Sequence, residues 1–259
     1  MNRRNFAASV ALAASAATSV NASSGGNGKT GKQFFELRRY LLDSAEKQQA
    51  LEAFFRDVEI PALNRLGIGP VGVFQELEGE SLSLYMLLTF TSLESFVSLS
   101  DRLAADPEYL KAGDAILNAT KKDAPYLRIE STLMEAFDRL PELVVPEKKA
   151  GRIYELRQYE SACFVAAKSK VEMFNEGGEI DIFLKTGLDP VFFGESLSGD
   201  KLPNLTYMVS FDDMAAHDAN WETFKNHPDW AALRGLPKYK GTVSNITKTY
   251  LKAAPYSQI

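Results

Sequence analysis

The sequence predicts an α+β protein built of two tandem ferredoxin-like β-α-β-β-α-β units, packed sheet to sheet as a barrel. Three observations carry this. Phe35-Glu36-Leu37-Arg38-Arg39-Tyr40 returns as Tyr154-Glu155-Leu156-Arg157-Gln158-Tyr159, an offset of 119 (155 minus 36). Later matches keep their order: Ile60, Gly67 and Pro70 with Ile180, Gly187 and Pro190, then Phe90 and Asp106-Pro107-x-Tyr109 with Phe211 and His227-Pro228-x-Trp230. A unit of this size exceeds the roughly 20–50 residues of solenoid repeats, so the copies are two small domains of one fold. Finally, each copy reads strand, helix, two strands, helix, strand.

The elements follow in order. Residues 1–22 read as a secretory signal peptide: Arg3-Arg4-Asn5-Phe6, an alanine-rich stretch, then Val20-Asn21-Ala22 as a small-x-small cleavage site. The arginine pair fits the twin-arginine pattern, which implies the twin-arginine export machinery as a partner and a periplasmic or extracellular destination in a bacterium; an ordinary Sec signal is the alternative. Residues 23–32 read as a Gly/Ser tether. The first unit spans 33–137. Phe34–Leu41 alternates as a strand, and Asp43 with Glu46 reads as a capping box. Leu51, Phe54, Phe55, Val58 and Ala62 form a helical stripe, which Pro61 kinks and Gly67 ends. Val71–Leu77 and Leu82–Phe90 make a hairpin around Gly79-Glu80. Leu93, Phe96, Ser100 and Leu103 share one face of a second helix, and Asp106-Pro107 caps a further helical segment. Tyr126–Phe137 is the fourth strand. Residues 138–150, with Pro141 and Pro146, read as a linker. The second unit, 151–259, repeats the pattern: Ile153–Tyr159, a helix over Val165–Phe174 broken at Gly177-Gly178, Pro190–Glu195, Leu205–Phe211, helices from Met214 to Leu233, and Val243–Leu251.

A lone sheet of this kind leaves one face bare, and two copies can bury those faces against each other. On the opening strand Phe35 and Leu37 share one side, and Glu36, Arg38 and Tyr40 the other. The apolar side is expected under the helices and the Glu-x-Arg-x-Tyr side inside the barrel.

Net charge is −5, and two units more negative without Arg3 and Arg4. Neither copy has a basic patch, which argues against nucleic acid. No apolar run reaches the roughly 20 residues of a membrane span. Cys163, the one cysteine, excludes an internal disulfide and reads as a small buried hydrophobe.

At this point the chain resembles the NIPSNAP family of the dimeric α+β barrel superfamily. The resemblance rests on the Tyr/Phe-Glu-Leu-Arg-x-Tyr opening, on Gly67–Phe74 with Gly187–Gly194, and on the run from Trp221 to Trp230. It covers residues 33–257. It implies an intrachain dimeric α+β barrel more than an activity, because the family has no single established reaction. Its superfamily relatives include cofactor-free monooxygenases, haem-processing enzymes and decarboxylases. The first unit departs at the third motif, where Ser100, Leu103, Asp106 and Tyr109 stand for Trp221, Phe224, His227 and Trp230.

Two readings of the repeated triplets stay open. Glu36, Arg38, Tyr40, Glu155, Arg157 and Tyr159 would line a polar pocket, with Arg gripping an anionic group and Glu acting as base. Alternatively they form an internal ion-pair network pinning the sheets, as buried charges need partners. Phe193 and Glu195 share a face of Val191–Glu195 and would add apolar and acidic walls. His227 answers to Asp106 as a helix cap, and His217, aligned with Phe96, reads as part of an apolar helix face. Two histidines and one cysteine are too few for a His/Cys metal site. No cofactor is implied; a haem on one histidine is conceivable, but neither histidine lies on a pocket strand. The expected partner is a small, partly apolar molecule inside the barrel. The rival reading is a non-catalytic assembly module with a filled interior. Internal pairing removes the usual reason to dimerise, while exposed sheet edges would allow a homo-oligomer.

Overall fold

The strands β1 (Phe34–Leu41), β2 (Gly72–Glu76), β3 (Leu84–Phe90) and β4 (Arg128–Ala136) of the first unit meet β5 (Ile153–Glu160), β6 (Asp189–Ser198), β7 (Asn204–Phe211) and β8 (Asn245–Ala253) of the second in one closed barrel. The structure is a computed structural model that describes residues 31–259. The residues expected as a signal peptide, 1–22, and most of those expected as a tether fall outside the described residues. Around the barrel the order is β1-β3-β2-β8-β5-β7-β6-β4, antiparallel throughout. Each unit is thus a four-stranded ferredoxin-like sheet. The units join at both edges, through β2 with β8 and β4 with β6. Among the described residues the expected free sheet edges are absent, because closure uses them.

Helices coat the outside. In the first unit they are α1 (Ala45–Phe54), α2 (Ile60–Arg65), α3 (Leu93–Val97), α4 (Leu99–Ala104), α5 (Pro107–Ala112) and α6 (Asp114–Leu117). In the second they are α7 (Phe164–Asn175), α8 (Glu179–Lys185), α9 (Met214–Asn226) and α10 (Pro228–Gly235). Ser44, not Asp43, caps α1, accepting from the Lys47 amide at 3.3 Å, while Asp43 pairs with the Lys47 ammonium instead. Asp106 and His227 cap α5 and α10 through their side chains, as the shared pattern before Pro suggests. Cys163 is exposed at the start of α7 rather than buried, since it precedes the helix instead of lying on its inner face. Among the described residues no helix is long and apolar enough to cross a membrane.

The faces of the opening strands are the reverse of the expectation. Phe35 and Leu37, with Tyr154 and Leu156, point into the barrel among Phe74, Met134, Phe192, Met208 and Leu251. Tyr40 and Tyr159 instead pack beneath the helices with Phe55 and Phe174. Where the barrel interior is packed an ionised group would lose its hydration, and the charged Arg39 and Glu130 lie toward an open end instead. Beneath the helices, beside the two cavities, the buried Glu and Arg meet each other as ion pairs, Arg38 with Glu36 and Arg157 with Glu155. A β-bulge near Val191 turns both Val191 and Phe192 inward.

Candidate functional site

The site begins with the alternation of β1 and β5. Glu36, Arg38 and Tyr40, and Glu155, Arg157 and Tyr159, share the outer face of the barrel and floor a cavity beneath each unit's helices. The first-unit cavity is about 550 Å³ and the second about 520 Å³. Either is large enough for a small ligand.

A further acid completes each floor. Glu59 sits 3.7 Å from Arg38, and Glu179 lines the second cavity. The two are delivered by different backbone devices. In the first unit a π-helical turn over Phe55–Glu59, two residues short of Pro61, carries Glu59 to the sheet. In the second, Gly178 adopts φ 83° and lets α8 begin on Glu179. Left-handed backbone suits glycine because a Cβ would crowd the next carbonyl. Gly178→Ala is therefore expected to cost about 1–2 kcal/mol, read as a lower midpoint in urea unfolding; an unchanged midpoint would show that this turn does not set the acid's place. The sequence held a signal for this pair: Glu59-Ile60 and Glu179-Ile180 recur at the offset of 120 (180 minus 60) that already matched the isoleucines.

In the first unit Arg38 pairs with Glu36 at 2.8 Å, Ser131 donates to Glu36 at 2.7 Å, and the Tyr109 hydroxyl donates to Glu59 at 2.8 Å. Burial raises the Glu59 pKa above the usual carboxylate value, against the pull of Tyr109 and Arg38. Burial also pushes Tyr40 up to about 12.

The second unit is more highly charged. Arg157 donates to Glu155 at 3.2 Å, and the Trp221 indole N–H donates to the same carboxylate at 2.7 Å. The Arg157 guanidinium lies 4.3 Å over the Trp221 ring. Lys170, 4% exposed, meets Glu179, 2% exposed, at 2.6 Å. Burial raises the Glu179 pKa even so, with Lys170 and Arg157 opposing it. Burial pushes Tyr159 up to about 12, and its hydroxyl is 2.9 Å from that of Tyr207.

His217 belongs to this site. Its Nε2 is 3.4 Å from Glu155 and has no hydrogen-bond partner among the described residues, while Nδ1 contacts Asp218 at 2.8 Å. The sequence placed His217 on an apolar helix face. That face is indeed apolar, with Trp221 and Phe224, but it looks down onto the charged floor. Both imidazole nitrogens face carboxylates, so His217 does not fit an axial haem ligand.

Two expected wall residues are elsewhere. Phe193 is fully enclosed, stacked on Tyr207 and Phe137 away from the cavity. Glu195 pairs with Lys168 at 2.5 Å outside the cavity lining. The bulge in β6 places Phe193 against the helices, deep in the aromatic core.

The NIPSNAP family's sequence pattern matches residues 35–133 and 154–258. No curated protein matches the chain. Among solved structures, a proposed monooxygenase from Lactobacillus acidophilus NCFM superposes with a TM-score of 0.58 at 8% identity, covering 86% of this chain and 94% of that one. An anthrone oxidase-like protein gives 0.53 at 14% identity, covering 86% and 92%. A proposed chlorite dismutase gives 0.51 at 10% identity, covering 88% and 96%. At these identities the likeness is one of fold.

Proposed function

We propose that this chain, which belongs to the NIPSNAP family, binds a small and partly apolar molecule in the cavity of its second unit. The observation that carries this is a set of buried ionic groups bordering open space. Arg157, Glu155, Lys170 and Glu179 floor a cavity walled by Trp221, Phe224, Trp230 and Tyr250. Burying two ion pairs costs desolvation that apolar residues of similar size would avoid. A fold needing only stability has little use for them next to a cavity. The aromatic walls suit a flat apolar body, and Arg157 and Lys170 suit an oxygen bearing negative charge. His217 and Glu179 are the proton acceptors available should the ligand be transformed.

The location differs from the barrel interior expected from sequence. Most inward-facing residues form an apolar core, Phe35, Phe74, Phe192 and Leu251 among them, with Arg39 and Glu130 lining a cavity at one end, while both triplets open onto the cavities beneath the helices.

Purified from its own cell, the protein is expected to carry a small molecule seen by native mass spectrometry. Arg157→Ala should lower its occupancy at least tenfold, while Arg38→Ala should leave it in place. A bare wild-type protein, or a full load on the Arg157 variant, would refute the reading.

A further inference from the structure

The two units keep the same buried acids but not the same cations. At the offset that aligns Glu36 with Glu155, Lys170 falls on Leu51 and Phe174 on Phe55. Lys170 supplies Glu179 with an ammonium at 2.6 Å. Leu51 is fully buried in the wall of the first cavity and supplies Glu59 with nothing of the kind. The remaining cation, Arg38, is engaged by Glu36 at 2.8 Å and reaches Glu59 only at 3.7 Å. The first floor thus holds two carboxylates and one guanidinium, and among the described residues no other charged side chain lines that cavity. Buried carboxylates lacking a cation are costly. Burial already holds the Glu59 pKa above its ordinary value.

The mouths differ as well. Asp218, Glu222, Lys225 and Lys248 line the second cavity. Val97, 75% exposed, rims the first together with Leu117 and Ile129, also exposed. Apolar side chains exposed around a cavity mark a place where apolar surface is meant to be covered.

We propose that the first cavity is a second binding site, independent of the first proposal, for an organic ammonium with an apolar body. The ammonium sits at Glu59, where Lys170 stands in the second unit, and the apolar body lies toward Val97 and Ile129. The charge deficit selects the head group, and the apolar rim selects the tail.

The probe is octylammonium, titrated calorimetrically into the full chain at pH 7.5, with octanol and octanoate as neutral and anionic controls. Octylammonium is expected to bind one to one and at least tenfold more tightly than either control. Leu51→Lys installs the ammonium of the second unit and should weaken binding tenfold or more. Should that variant fail to fold, Val97→Lys, at a position too exposed to disturb folding, should still weaken binding severalfold. Both tryptophans line the second cavity, so binding in the first should leave their fluorescence unchanged. No binding, equal binding of a control, unchanged affinity in the variants, or a fluorescence change that puts the ligand in the second unit would each overturn the assignment. So would a dimer in sedimentation that covers the mouth and excludes octylammonium.

Discussion

Lys170→Met is expected to lower folding stability by about 3–5 kcal/mol at pH 7.5, because it leaves Glu179 buried without its cation. The two side chains are almost wholly enclosed, and the 2.6 Å contact is the one ion pair that Glu179 makes among the described residues. In the first unit, where Leu51 replaces the lysine, Glu59 takes a hydrogen bond from the Tyr109 hydroxyl, which satisfies one oxygen without supplying a charge. The second unit has Trp230 at that place, and among the described residues it makes no hydrogen bond to Glu179, so only the more distant charge of Arg157 opposes the loss. The effect should depend on pH in a defined direction. Burial holds the Glu179 pKa above its unfolded value, so the folded state binds this proton more tightly than the unfolded chain does. Such a group stabilises below the unfolded pKa, and its contribution is lost as pH rises through the folded pKa. Removing the opposing ammonium moves the folded pKa further up. The deficit of Lys170→Met should therefore shrink on acidification from pH 7.5 toward pH 5, by up to about 1.4 kcal/mol per pH unit. Urea unfolding at the two pH values measures this. A variant as stable as the wild type at pH 7.5, or one whose deficit grows on acidification, would contradict the pairing.

Phe192→Ala should cost about 3–5 kcal/mol, as expected for a large side chain deleted from a packed core. Phe192 belongs to the second unit, but its ring packs 5.2 Å from that of Phe35 in the first. The barrel interior is thus one core with two contributors, and the seams β2 with β8 and β4 with β6 tie it shut. The same reasoning predicts a single cooperative transition for both units. Both tryptophans lie in the second unit, so tryptophan fluorescence follows that unit, while far-ultraviolet circular dichroism follows the whole chain. The two signals should coincide in wild type and in the variant, with the variant's midpoint shifted to lower urea. Separate midpoints would show that the units fold independently despite the shared interior.

Much of this was legible from residues. The repeat at 119–121 residues divided the chain, and turn glycines such as Gly67 and Gly187 adopt the positive φ their positions suggested. The break at Gly177-Gly178 and the caps at Asp106 and His227 likewise follow from local chemistry. Part of the candidate site was legible. Six strand residues were visible through repetition, and Glu59 with Glu179 would have been visible by the same test. Lys170 and His217 were not. A lysine between helical positions normally reads as solvated, and a histidine on an apolar helix face reads as core, because nothing local records what lies under the helix.

By itself the sequence determined that there are two like units, how strands and helices alternate in each, and that the opening strands have one apolar and one ionic face. It did not determine which face looks inward. Period-two alternation marks two faces as different, and here both are covered, one by the barrel and one by helices. Tertiary closure decided the matter. Eight strands joined edge to edge pack an apolar interior along most of the barrel, whereas the layer under the helices holds the counter-charges that buried Glu and Arg need.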